Sequence, residues 1–192
     1  MVCGIDVSEH NGRVDWMAVV EGGMSFALIR LGYGQSYIDP EFLTNLAGAA
    51  AAGLSIGIYH YSYALQVDEA VAEANWVRQV LKRIKIVPEL GIWFDMEDAD
   101  GYKTRRGMPS PDTITAMCSA FICQINEAGY SCGIYASYSW LRDIIRTEEL
   151  GGYVPYWNAQ WGNTDDWQGR LWQYTNLLSI KGQLFDGNIL YD

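Results

Sequence analysis

Two histidines, five prolines and four cysteines are all that this chain of 192 residues holds of those types, and cations are scarce too. Thirteen Lys and Arg stand against 23 Asp and Glu, a formal charge of −10. Each scarcity removes a class of function. The acidic balance opposes binding to nucleic acid or to an anionic membrane surface, both of which need a basic footprint. No apolar stretch approaches the length that spans a bilayer, so no membrane insertion is expected. His10 and His60 stand alone, without the H-E-x-x-H spacing of a zinc site, and read as ordinary loop and strand residues. Cys3, Cys118, Cys123 and Cys132 form no C-x-x-C and no metal-site spacing. They are expected to be buried free thiols of a protein from a reducing compartment. The opening MVCGIDVS reads as a strand rather than a charged-then-apolar leader, so synthesis in the cytoplasm is expected.

What is abundant is aromatic. Eight Trp and thirteen Tyr exceed the needs of one core, and these side chains join a flat apolar face to a polar edge. Most are expected to pack inside, and the remainder to line a groove. At this length one domain spanning 1–192 can bury a continuous core unaided. Along the chain, strands at 3–8, 26–34, 55–63, 91–97 and 131–137 alternate with helices near 15–21, 40–53, 68–84, 110–127 and 138–145. Pro40 and Gly53 bracket the second helix, and Ser110-Pro111 opens the fourth. After Gly151-Gly152 the rhythm changes to YVPYWNAQW, RLWQYT and QLFDGNILYD, strands without helices between them. The pattern predicts an α/β fold: an irregular TIM-like (β/α) barrel with about five strand–helix units and a terminal group of antiparallel strands.

Several catalytic patterns fail on context. GLSIG (53–57) has the letters of a nucleophile elbow, but a helix enters it and a strand leaves, and no histidine follows His60. GYGQSY (32–37) has Tyr37 where a dinucleotide loop needs its third glycine. An EF-hand with Gly101 at its sixth position would begin at Met96.

The carboxylates survive this sorting. GIWFDMEDADG (91–101) is a strand that ends in acids. Alternate strand residues share a face, so Asp95 and Glu97 point the same way, roughly 7 Å apart along the chain. Asp98 and Asp100 read as a solvated turn. Trp93 and Phe94 imply that Asp95 is buried, where a lone carboxylate is costly. Asp6 ends the first strand and Asp186 closes another. In a (β/α) barrel, strand ends of this kind meet at the face where active sites form. Clustered acids hold one carboxyl protonated, and a proton donor beside supporting carboxylates in an aromatic groove is the equipment for cleaving a glycosidic bond.

Seven segments carry a resemblance: GIDVSEHNGRVDW (4–16), IGIYHYSYA (56–64), IWFDMED (92–98), GIYASYSWL (133–141), YWNAQW (156–161), LWQYT (171–175) and DGNILYD (186–192). In this order, and covering essentially the whole chain, they resemble glycoside hydrolase family 25. These are the N-acetylmuramidases (lysozymes) of phage endolysins and bacterial autolysins. The resemblance implies Glu97 as catalytic acid, with Asp95, Asp6 and Asp186 supporting it. It implies peptidoglycan glycan strands as the partner, cut at the β-1,4 bond between N-acetylmuramic acid and N-acetylglucosamine, with no metal or cofactor. Tyr61, Tyr135 and Trp157 lie near strand ends within these segments and are the candidate sugar platforms. Gln173 is a candidate hydrogen-bond donor to sugar, while Arg30, mid-strand, is expected to pair with a buried acid. The SEHNG turn and Trp161 depart from the familiar pattern without touching the carboxylates.

Relatives of this kind often continue into a wall-binding module, a candidate partner in the full-length protein, and act on the cell wall after release or export. Two other functions stay open: a non-catalytic wall-carbohydrate-binding module on the same barrel, and a glycosidase of another N-acetylated polymer such as chitin.

Overall fold

The computed structural model describes residues 1–191, so the last residue of the closing segment, Asp192, lies outside the described residues. The chain runs through strands β1 (Val2–Val7), β2 (Phe26–Tyr33), β3 (Tyr37–Ile38), β4 (Ser55–Tyr61), β5 (Ile92–Asp95), β6 (Cys132–Ser137), β7 (Tyr156–Ala159), β8 (Leu171–Ile180) and β9 (Gln183–Leu190). Between them lie helices α1 (Trp16–Glu21), α2 (Phe42–Ala51), α3 (Val67–Ile84), α4 (Tyr102–Arg106), α5 (Pro111–Glu127) and α6 (Tyr138–Asp143). Eight strands close into a barrel in the order β1-β9-β8-β7-β6-β5-β4-β2, with β1 and β2 paired in parallel to shut the ring. The short β3 hangs on β2 outside it.

Two-residue periodicity decides what faces where. On β5, Ile92 and Phe94, with Met96 just after the strand, join the layer under the helices, while Trp93 joins the small core inside the barrel. On β1, Ile5 and Val7 face outward in the same way. The interior core of Phe26, Leu28, Leu90, Trp93, Trp157 and Leu171 is roofed by half-buried Tyr59 and Tyr135. Its rings need facing glycines: a Cβ on Gly133 would lie 2.6 Å from the Trp93 ring, and one on Gly4 2.5 Å from Phe26. Large residues opposite small ones fill the barrel rather than leaving a pore.

The helices close the outer layer. Ser110 accepts a hydrogen bond from the Thr113 N–H at 3.2 Å and Pro111 begins α5, as a serine cap before a first-turn proline should. The apolar face of α5 lays Phe121 against Phe94, stacked at 3.9 Å. Among the described residues no helix is long and apolar enough to cross a membrane.

Some local features differ from the sequence reading. Antiparallel pairing in the barrel belongs to β9 alone, which lies against β8 and β1; β7 and β8 are parallel. The polar segment between them is therefore a crossover without a helix. It is held by Asp165, which accepts from Asn158 Nδ2 at 2.7 Å and from the Trp167 and Gln168 amides. Helix α4 has no apolar periodicity and was not expected. Of the four free cysteines only Cys118 and Cys132 are buried; Cys3 on β1 and Cys123 on α5 are exposed.

Candidate active site

Four neighbouring parallel strands bring Tyr61, Asp95, Tyr135 and Trp157 into one rung of the barrel, each the register partner of the next. All four point inward, because the residues beside them on each strand pack under the helices. On the other side of the ring the antiparallel register sets Asp6 of β1 directly opposite Asp186 of β9. Glu97 follows β5 by two residues and keeps the inward parity of Trp93 and Asp95. The eight side chains singled out from the sequence all border one open cleft of about 610 Å³ at the mouth of the barrel.

Their surroundings differ. Asp6 and Asp95 are buried, while Glu97 and Asp186 are half-buried and reach the open space. Beneath Asp6 runs a chain of directed hydrogen bonds. Gln173 Oε1 accepts from Tyr135 Oη at 3.1 Å and from Trp161 Nε1 at 3.0 Å, which turns its Nε2 toward Asp6 Oδ2 (3.0 Å) and Asp186 Oδ2 (3.4 Å). Asn188 repeats the arrangement: Oδ1 accepts from Trp157 Nε1 at 2.8 Å, and Nδ2 donates to Asp6 Oδ2 at 2.7 Å. Each amide bond to an ionised carboxylate contributes about 1.5–3 kcal/mol. These residues hold the acids in place from below. Gln173 is buried, with both ends engaged by protein groups, and borders the cleft beneath the carboxylates. Trp157 likewise forms the floor, with Tyr135 edge-on at 4.5 Å and Tyr59 at 5.8 Å.

The electrostatics follow from burial first. Desolvation lifts Asp95 well above the ordinary carboxyl range, and the charge of Glu97 lifts it further. Glu97 is raised by burial and drawn down by its hydrogen bond with Asp95. Burial and mutual charge thus favour a proton on the pair, and act more strongly on the more deeply buried Asp95. Asp6 is raised well above the ordinary range by burial and then by the charge of Asp186, against the pull of Asn188 and Gln173. Asp186 is raised by burial and lowered by its bond to Asp6. Two acid pairs, each able to hold one proton, thus face each other across the barrel mouth. Burial also raises Tyr59 and Tyr135, followed by the charge of Asp6 on the first and of Glu97 on the second, so both stay neutral phenols.

Other residues complete the cleft. Arg30 meets Asp39 (2.8 Å) and Glu9 (2.6 Å) at one end, so its charge is satisfied within the protein. Asp100 lines the cleft and accepts from Tyr61 Oη (3.3 Å) and Tyr63 Oη (2.7 Å). Asn188, Asp100, Tyr59 and Lys103 escaped the sequence reading. The first lies in the DGN segment two residues after Asp186, a parity that signals a shared strand face. For Lys103, inside a run of charged residues, the sequence offers no signal of burial.

A family model described as "Glycosyl hydrolases family 25" matches residues 5–183. The chain belongs to glycosyl hydrolase family 25. Among family 25 relatives, "Lysozyme M1" of Streptomyces globisporus is 43% identical over 173 residues, covering 88% of this chain and 51% of that protein. The "Autolytic lysozyme" of Clostridium acetobutylicum is 26% identical over 159 residues, covering 83% and 45%. The chain thus spans about half the length of these curated relatives. Among solved structures, the modular autolysin LytC of Streptococcus pneumoniae, in complex with a synthetic peptidoglycan ligand, superposes with a TM-score of 0.88 at 25% identity, over 99% of this chain and 46% of that one. The family 25 barrel, with β9 reversed and β3 added, is the fold described above.

Proposed function

We propose that this chain is a 1,4-β-N-acetylmuramidase that hydrolyses the bond between N-acetylmuramic acid and N-acetylglucosamine in peptidoglycan, with Glu97 as the general acid. The observation that carries the reading is the convergence of Asp95 and Glu97 from the end of β5 with the register pair Asp6 and Asp186 in one aromatic cleft.

The closeness of that first pair selects among mechanisms. A nucleophile and an acid that act directly on the sugar stand roughly 5–5.5 Å apart, and an acid and a base that admit water between them roughly 6.5–9.5 Å. Asp95 and Glu97 come from one strand end, two residues apart, and act directly on each other's ionisation, a closer relation than either spacing describes. Attack by the substrate's own acetamide carbonyl on the anomeric carbon needs no second carboxylate at such a distance. Asp95 then serves the acetamide N–H. Once that N–H donates to Asp95, the shared proton is left to Glu97, which delivers it to the leaving oxygen. The resulting ring-closed intermediate is opened by water, with Glu97 recovering the proton. Tyr61 and Tyr135 offer faces to the sugar rings, while Asp6 and Asp186 keep negative potential opposite the developing positive charge. The tyrosines suit sugar rings, and the acids suit the N–H of an acetamido group. We place its action at the cell wall, after release or export from the cytoplasm, with any wall-binding module supplied outside this chain.

Mass spectrometry of digested peptidoglycan reads which sugar bears the new reducing end. Muramic acid is expected there; a glucosamine terminus, or cleavage of chitin alone, removes the muramidase assignment. Proton NMR of the first-formed anomer is expected to show retention, and an inverted product replaces the acetamide route with direct attack by water. A pure binding module causes no loss of turbidity in a cell-wall suspension.

A further inference from the structure

Outside the cleft, one buried ion has no part in the reaction as described. Lys103 on the five-residue α4 is 1% exposed. Its Nζ donates to the backbone carbonyl of Ser62 and, at 2.9 Å, to that of Glu97. Ser62 follows β4 and Glu97 follows β5, so one ammonium ties together the strand ends from which the Tyr61 and Glu97 side chains enter the cleft. It also lies 5.7 Å from the centroid of the Tyr61 ring. The helix that carries it is anchored by Asp98, which accepts from the Lys103 and Thr104 amides at 2.6 and 3.0 Å.

Burying an ammonium is expensive unless it is balanced. Glu73 of α3, also 1% exposed, is the nearest counter-charge from the helical side, and its Oε1 accepts from the Tyr63 N–H at 2.8 Å. A lysine whose only task was packing would be simpler as a methionine.

We propose that Lys103 is a positioning residue for the acid pair: its ammonium pins the carbonyl of Glu97 to that of Ser62 and, balanced by Glu73 behind it, fixes the charge that Asp95 and Glu97 face. The inference rests on the reading of Glu97 as the acid. The groups around Lys103 are known from every side. From β5 come Asp95 and Glu97, both of which its charge draws downward against their burial. From the loop come Asp98 and Asp100, which hydrogen bonds and Lys103 or Arg105 hold below the ordinary range. Arg105 itself donates to the Asp100 carbonyl at 2.7 Å. From β4, burial keeps Tyr61 a neutral phenol and lowers His60 to about 3, so neither brings charge near neutral pH. From α5, burial lifts Cys118 to about 12. From α3, burial lifts Glu73 to about 7, so its charge, and with it the balance of Lys103, changes within the working range.

The test compares Lys103→Met, Lys103→Arg and Glu73→Gln by carbon-13 NMR titration of side-chain carboxyls in the free protein, with Glu97→Gln and Asp95→Asn spectra to assign the two signals. Loss of a nearby opposite charge moves a carboxyl midpoint by about one pH unit or more. Lys103→Met is expected to raise the midpoints of Asp95 and Glu97 by that much and Lys103→Arg to restore them; Glu73→Gln lowers only a midpoint above about 7, where Glu73 is charged. The alkaline limb of kcat/KM moves in the same directions. Midpoints that stay put or fall in Lys103→Met overturn the proposal. If Lys103→Met does not fold, Lys103→Gln, which keeps a donor without the charge, decides by the same upward shift. The titration needs no substrate: an upward shift in a protein that fails to cut peptidoglycan sinks the muramidase reading and leaves the electrostatic role of Lys103 standing.

Discussion

At Glu97 the proposed chemistry depends on one proton. Glu97→Gln keeps the shape and a hydrogen bond to Asp95 while removing the acid, and a general acid contributes about 10²- to 10⁴-fold. A loss of that size in wall-clearing rate, with an unchanged circular dichroism spectrum, is the expected result; a variant that clears walls at the wild-type rate excludes Glu97. Asp95→Asn separates the two members of the pair. It is expected to slow turnover of N-acetylated substrate with little effect on binding, since its task begins when the acetamide is activated. The residues that bear charge were open to sequence reasoning because an acid after Ile-Trp-Phe is conspicuous. Gln173 was picked out as a donor, but only the closed ring shows that it and Asn188 turn their amides toward Asp6; Asn188 and Lys103 were not singled out at all. Lys103 is hidden in DADGYKTRR, where every local cue reads as solvent-facing.

Whole elements were easier to foresee than their partners. Periodicity and caps delimit α3 and α5 within a residue or two, and period-two alternation finds each barrel strand. Register and direction are another matter, because they are set by neighbours remote in the chain. So β7 and β8 read as a joined pair, yet the structure makes them parallel, with a crossover stitched by Asp165. The turn between β8 and β9 was locally specified. Lys181 and Gly182 both take positive φ (47° and 87°), as a tight two-residue hairpin turn demands. Inside the barrel the constraint is steric. Gly133 leaves the space that Trp93 fills, so Gly133→Ala is expected to destabilise by about 1–3 kcal/mol, read as a lower urea midpoint. An unchanged midpoint means that the ring has room to move.

Across the whole molecule, buried acids make stability a function of pH. Glu73 rises from 4.5 to about 7 on folding, so between those values the folded protein holds a proton that the unfolded chain has released. Stability is full below that window and falls as pH rises through it. Asp6, Asp95, Glu97 and Asp186 are raised too and act in the same direction. His60, lowered to about 3 by burial, opposes them below its unfolded value near 6.5, but one imidazole stands against five raised acids, so urea unfolding is expected to show greater stability at pH 5 than at pH 8. In Glu73→Gln the drop between the two shrinks by up to about 3 kcal/mol; a drop of undiminished size places the penalty elsewhere.

The register that sets Asp6 against Asp186 joins the first strand to the last. A nascent chain emerging from the ribosome cannot seal its barrel until β9 has cleared the exit, and such distant pairing is slow to form. The cleft, with Asp6 and Asp186 side by side in it, therefore exists only after the strand that carries Asp186 has left the ribosome, and no shorter nascent chain holds all four acids together.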